Sequence, residues 1–417
     1  MTDITRRTFV RGGALALVSF GLDPLFLGRA AYALPSVRRA AGGKTLVCLF
    51  QRGAVDGLSM VVPYADAGYY RDRPKIAIPR GEVIDLDGRF GLHPALAPLA
   101  PRWQAGELAI VHAVGSPDTT RSHFDAQDFM ESGTPGTKST PDGWANRLCR
   151  AHDRDHAETP FRAVGFGAQL PRVLSGTAPA LAIDDLKTFG VRTRNQGGAN
   201  DRLTRAFEDL YQGAATGLLS SSSAEAFEAI RMLKEANPTR LDPANGAEYP
   251  RGRLGMSLMQ IAQLIKSDLG LEIAFADVGG WDTHVNQGSA TGQLGLRLGE
   301  LGRALAAFAT DLGPRMRDVV VLTMSEFGRT VRENGTGGTD HGHATAMMVM
   351  GGGVRGGRVL GRWPGLAPEA RFEGRDLAVT TDFRGLFSEI LSGHLGANRL
   401  DAVFPGFSPT AGLGLFG

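Results

Sequence analysis

Five stretches of the chain are apolar at nearly every position: Lys44–Phe50 (KTLVCLF), Glu107–Val114 (ELAIVHAV), Leu271–Gly280 (LEIAFADVGG), Asp318–Gly328 (DVVVLTMSEFG) and Ala344–Gly353 (ATAMMVMGGG). Each is short, rich in β-branched or small residues, and leads into or out of polar turn residues. Continuous apolarity over so few residues predicts strands buried on both faces, as in a mostly parallel sheet covered by helices. Between them the period lengthens to that of helices. DRLTRAFEDLYQ places Leu203, Phe207, Leu210 and Tyr211 on one face, and AEAFEAIRMLKEAN does the same with Phe227, Ile230 and Leu233 before Pro238 stops it. LGMSLMQIAQLIKSDLG and LGLRLGELGRALAAFATDLG each end at a glycine able to cap.

This alternation of strands and helices predicts an α/β fold with a doubly wound, mostly parallel sheet and helices on both faces. No solenoid-type repeat is apparent. ESGTPGTKSTPDGW and TRLDPANGAEYPRG are rich in turn residues, but neither reads as a linker. Residues 44–417 therefore read as one domain with a helical insertion near 195–250. The 57 glycines among 417 residues, about twice the usual share, favour tight turns and close backbone approaches.

The N-terminus has a different character. Arg6, Arg7 and Phe9 precede a short, mildly apolar run, interrupted by Asp23-Pro24, that ends at Ala31-Tyr32-Ala33. Paired arginines, a weak apolar segment and a small-x-small end predict a cleaved twin-arginine signal over residues 1–33 and no stable membrane span. The implied partner is the twin-arginine export machinery and the implied location periplasmic or extracytoplasmic. This segment holds four arginines and two aspartates, so 41 basic and 41 acidic side chains remain after it. A neutral remainder argues against nucleic acid as a partner. Cys48 lies in a predicted strand and Cys149 ends a predicted helix, and neither has a ligand-spaced partner.

Ligands of open α/β sheets bind beyond the carboxyl ends of the strands. The polar residues cluster there. After the first run come Arg52 and Asp56, and after the second come Thr119, Thr120, Arg121, Ser122 and His123. The third leads to Asp282 and His284, and the fourth to Ser325, Glu326 and Arg329. Asp340, His341 and His343 stand just before the fifth. Imidazole and carboxylate together suit a divalent metal, one or two ions of Zn, Mn, Fe, Mg or Ca, and arginines suit an anion such as a small phosphate or sulfate ester. Individually, Asp56 also fits a turn, Ser122 an N-cap and Asp282 an Asx-turn. His93, before Pro94, reads as a helix-start residue, and His112, His152, His156 and His394 read as structural. Gly351-x-Gly353-x-x-Gly356 matches a dinucleotide fingerprint by letter, but RVLGRWPG follows where a helix would be needed.

The motifs FQRGAVDGLSMVVPY, SHFDAQDFMESG, GGWDTH, MSEFGRT and DHGHAT, with the twin-arginine start, resemble an exported bacterial family catalogued as a domain of unknown function. That family is grouped with the alkaline-phosphatase/sulfatase superfamily, and the resemblance spans essentially the whole chain after the signal. It implies an alkaline-phosphatase-like core with metal at the strand ends. It further implies Asp56, Asp282, His284, Glu326, Asp340, His341 and His343 as metal residues. Arg52 and Arg329 are the candidate anion binders, and Arg121 with a Thr120 or Ser122 nucleophile the candidate catalytic group. Three departures are visible: Glu326 stands where the superfamily has Asp, Phe327 stands where it has a metal histidine, and Asp282 and His284 are two positions apart where it has four. The implied activity is metal-dependent hydrolysis of phosphate or sulfate esters. The competing reading is a non-catalytic periplasmic binding or assembly protein with a degenerate site.

Overall fold

The computed structural model describes residues 43–152, 159–189, 228–409 and 412–417. The signal segment and the helix expected over DRLTRAFEDLYQ lie outside the described residues. Of the expected insertion, residues 228–236 form a helix whose Ala229, Met232 and Leu233 reach the core.

The apolar runs do form strands. Nine strands make one sheet among the described residues: β1 (Thr45–Gln51), β2 (Leu108–Gly115), β3 (Ala163–Phe166), β4 (Leu181–Ile183), β5 (Ile273–Val278), β6 (Val319–Met324), β7 (Thr345–Gly351), β8 (Arg358–Leu360) and β9 (Thr381–Asp382). Their order is β8-β2-β7-β6-β1-β5-β3-β4, with β9 also paired to β2. β1 lies at the middle, parallel to both β5 and β6. Only β7 runs against its neighbours β2 and β6 among the pairings of this sheet. The sheet is thus mostly parallel, and the reversal of β7 brings its amino end to the same edge as the carboxyl ends of the others.

Alternation along β1 shows how both faces are covered. Val47 and Leu49 point into one core, and Leu46, Cys48 and Phe50 into the other, because successive strand side chains face opposite ways. The first core is closed by α3 (Arg253–Lys266), through Leu258 and Ile261, and by α4 (Gln293–Leu312), through Leu298 and Leu305. The second is closed by α2 (Trp144–Ala151) and α5 (Phe383–Ile390), through Trp144, Leu148 and Phe387. α4 ends at Gly313, whose φ of +49° lets the chain leave the helix. Cys48 and Cys149 are buried and unpaired by disulfide. The GxGxxG letters run into strand β8, so no helix N-terminus stands there to receive a pyrophosphate. His93 caps its turn, its Nδ1 accepting from the Ala95 amide at 3.0 Å. No helix among the described residues is long and apolar enough to cross a membrane.

Candidate metal centre

At the edge defined by the carboxyl ends of β1, β2, β5 and β6 and the amino end of β7, three histidines meet. They are His123, the first residue of α1 (His123–Ser132), His284 after β5, and His341 before β7. His123 Nε2 lies 3.0 Å from His341 Nε2, which lies 2.9 Å from His284 Nε2. Asp282 completes the group: its Oδ1 is 3.0 Å from His284 Nε2 and 3.3 Å from His341 Nε2, and its Oδ2 is 3.5 Å from His123 Nε2. The four side chains are partly exposed, so the centre is open to solvent.

The opposite nitrogen of each ring fixes what the meeting atoms are. His123 Nδ1 is 2.9 Å from Glu326 Oε1, His284 Nδ1 is 3.1 Å from Asp340 Oδ1, and His341 Nδ1 is 2.9 Å from the Arg121 carbonyl. Carboxylates and carbonyls only accept, so each Nδ1 carries a hydrogen, and the Nε2 of a ring in its neutral form presents a lone pair. The ligand atoms of His123, Asp282 and His341 all lie within 4.8 Å of one another, and His284 Nε2 adjoins this triad through His341 and Asp282. A cation seated among these atoms would offset the repulsion between their lone pairs. Four-coordinate ligand atoms about 2.0–2.2 Å from an ion lie about 3.3–3.6 Å apart, and the spacings here run from 2.9 to 3.5 Å. Carboxylates and carbonyls that hold the Nδ1 of histidine ligands are also the usual second layer of metal centres. The residues present fit a divalent ion.

Charge is arranged around the group. The Glu326 hydrogen bond holds the His123 imidazole above its ordinary range against the opposing effect of burial. Burial alone would raise the Glu326 carboxyl, but hydrogen bonds from His123 and Gln127 outweigh it and hold it low. Burial likewise works to raise Asp282, and the Arg329 guanidinium outweighs it. Burial, then the neighbouring His123 charge, lowers His341.

Two glycines allow the loops to meet. A Cβ on Gly53, whose φ is +112°, would come within 2.8 Å of the Asp282 amide nitrogen, while the Gly53 amide donates to Glu326 Oε1 at 2.8 Å. A Cβ on Gly342 would come within 2.4 Å of Arg329 backbone atoms. That close approach, with an Arg329–His341 bridge, turns His341 towards the centre.

The expected site residues therefore divide. Asp282, His284 and His341 meet directly. Glu326 and Asp340 are beside the centre, but they grip Nδ1 atoms and face away from the meeting point. His343 follows the bend after Gly342 to a different place: its Nε2 lies 3.0 Å from the Ser116 carbonyl and its ring packs on Phe372. Asp56 is fully buried, with both carboxylate oxygens bound by Arg73 at 2.6 and 3.0 Å and Oδ2 also accepting from Gln287 at 2.7 Å. It reaches the centre only through a relay. Gln287 accepts from Thr339 Oγ1 at 2.9 Å, which accepts from Arg329 Nε at 3.1 Å.

The arginines are similarly committed. The anion that Arg329 binds is Asp282, at 2.6 Å. Arg52 sits in a separate cleft of about 410 Å³, paired with Asp277 at 2.5 Å and Glu131 at 2.9 Å, so neither of these two arginines is free for a ligand anion. Arg121 turns its guanidinium to Asp376 and Glu373 and contributes only its carbonyl to His341. Ser122 is the N-cap of α1, accepting from the Asp125 amide, and Thr120 Oγ1 accepts from the Ser122 amide at 3.2 Å. His123 stood out in the sequence only as a strand-end histidine next to a hydroxyl, and its central place rests on the turn that starts α1. Arg73, Gln127 and Gln287 gave no sequence signal, since each acts through a partner more than 10 residues away.

Among solved structures, the fold is similar to that of the lipoteichoic acid synthase LtaP from Listeria monocytogenes, at 8% identity over 83% of this chain and 76% of that one, with a TM-score of 0.33. It is similar also to a mutant of the alkaline phosphatase PafA, at 13% identity over 72% of this chain and 64% of that one, TM-score 0.32. A third is the phosphonate monoester hydrolase of Agrobacterium radiobacter, at 9% identity over 88% and 78%, TM-score 0.33. No curated protein matches the sequence. The family described as "Protein of unknown function (DUF1501)" matches residues 43–387, and the chain belongs to that family.

Proposed function

We propose that this protein is an exported, metal-dependent hydrolase of phosphate or sulfate esters. The observation that carries the reading is the convergence of three imidazole Nε2 atoms and the Asp282 carboxylate at an open sheet edge. A purely structural cluster would spend those atoms on hydrogen bonds. Here the Nε2 atoms face one another at 2.9 and 3.0 Å while the Nδ1 of each ring is already given to an acceptor, and solvent reaches the group.

His123, His284, His341 and Asp282 would hold the ion, and Glu326, Asp340 and the Arg121 carbonyl would fix the ring orientations. A divalent ion there would supply Lewis-acid polarisation of a phosphoryl or sulfuryl oxygen. Thr120 and Ser122, in the turn that leads into His123, are the nucleophile candidates, because each hydroxyl accepts from an amide and keeps its own hydrogen free to give up. Residues 1–33 would direct export, and residues 44–417 would form one α/β domain with an alkaline-phosphatase-like core, as the sequence resemblance implies.

The test is a panel of phosphate and sulfate monoesters offered to metal-loaded, full-length protein and to its His284→Ala variant. Turnover by the parent that is lost in the variant supports the reading. A loaded, folded protein that hydrolyses no ester of either class contradicts it. That second outcome would favour a binding or assembly role, which the departure at Phe327 already supports.

A further inference from the structure

Phe327 occupies a telling position. It follows Glu326 immediately, is 3% exposed, and packs with Ala54 and Ala126 in a small apolar cluster. Its ring stacks on His123, with centroids 5.0 Å apart and planes 28° apart, and contacts His341 at 5.2 Å. One flank of the two central histidines is thus a dry aromatic wall with no oxygen or nitrogen to offer.

The further ligand candidates that the sequence offers are bound elsewhere. Asp56 is neutralised by Arg73 within a fully buried pair. His343 is directed at the Ser116 carbonyl. Glu326 Oε1 is shared by the Gly53 amide, the Gln127 amide and His123, and Oε2 accepts from Ser325. Withdrawing Glu326 to serve as a ligand would release His123 and take the acceptor from two part-buried donors at once, the Gly53 and Gln127 amides.

We infer that the centre holds one ion, through His123, His284, His341 and Asp282, and that it selects a nitrogen-preferring divalent ion of the zinc and cobalt class over Mg²⁺ or Ca²⁺. The inference rests on the metal-dependent reading above and fixes the number and kind of ion. Three imidazoles and one carboxylate suit zinc-class ions, whereas Mg²⁺ and Ca²⁺ require an oxygen-rich set. Phe327 acts here as an apolar wall against His123 and His341 that offers no ligand atom on that flank.

The test is titration of metal-stripped, full-length protein with Co²⁺, following its visible absorption and the bound metal per chain. The expected result is saturation at one equivalent, with the intense band of a four- or five-coordinate ion, unchanged by excess Mg²⁺. His284→Ala should weaken the band and the binding, and since His284 is partly exposed the variant should remain folded. His343→Asn should leave both unchanged. Saturation at two equivalents, a weak six-coordinate band, or displacement by Mg²⁺ would overturn the inference. Ester turnover plays no part in this readout. One bound ion without turnover would defeat only the hydrolase reading, and two ions in an active enzyme would defeat only this one.

Discussion

Two clusters of histidine and carboxylate stand at opposite ends of β5, and they are built on opposite principles. Before its first residue, Glu272 accepts from Arg162 at 2.6 Å and from His152 at 3.1 Å, and Arg162 also donates to the carbonyls of Cys149 and His152. Donors and acceptors are matched, and the group is mostly buried. Beyond its last residue, Asp282 meets three histidines whose Nδ1 hydrogens are all given to acceptors on the far side of their rings. The residue types are nearly the same. What separates a fastening from a metal centre is the direction of the lone pairs, and that direction is set by the partner of the other ring nitrogen.

Removing a converging nitrogen should have the largest effect. His341→Ala takes away the ring that touches both other histidines, and metal content should fall from about one ion per chain to nearly none by elemental analysis. The fold should persist, since the ring is partly exposed.

The opposite cluster should respond in stability and leave metal content alone. Glu272→Gln leaves Arg162 and His152 with an uncharged partner and should destabilise by about 2–3 kcal/mol in denaturant unfolding, less than for a fully buried pair because Arg162 is partly solvated. Burial works to raise the Glu272 carboxyl, but His152 and Arg162 outweigh it and bring it down to about 2 from an ordinary 4.5. A carboxyl held low in the folded state adds stability that is complete above its unfolded value and fades as pH falls towards the folded one. The gap between parent and variant should therefore be full at pH 7 and shrink between about pH 5 and pH 2.

Smaller effects should grade the second layer of the metal centre. Glu326→Gln keeps the shape but replaces a buried charged acceptor on His123, and should weaken metal binding by about 10–100-fold. Asp340→Asn makes the same change on His284 at an exposed site, where water can replace the carboxylate, so the loss should be about a few-fold. Equal losses from the two variants would mean that burial does not govern the second layer.

Much of this was legible in the sequence, for physical reasons that also mark where reading stops. A strand covered on both faces must be apolar throughout, so β1, β2, β5, β6 and β7 announce themselves as runs. Their polar ends name Asp282, His284 and His341 directly. Strand direction leaves no such trace, because β7 is as apolar as its parallel neighbours although it runs the other way. Partnership leaves none either. Asp56 has the look of a metal aspartate until Arg73 arrives from the next turn of chain, and Arg329 looks like an anion binder until its anion proves to be Asp282. His341 and His343 differ only by a bend at a glycine, yet one joins the centre and the other points to Ser116. Composition reports which chemistry is present, and only the folded loops decide which atoms face each other.

The most direct measurement is the metal content of folded, full-length protein at neutral pH after exhaustive removal of loosely bound ions, with Zn²⁺ offered back to the stripped form. Convergent lone pairs require that one ion be retained or taken up per chain, and that His123→Ala and His341→Ala each abolish it. A folded protein that keeps no metal, and takes up none when Zn²⁺ is restored, would contradict the metal centre at its root.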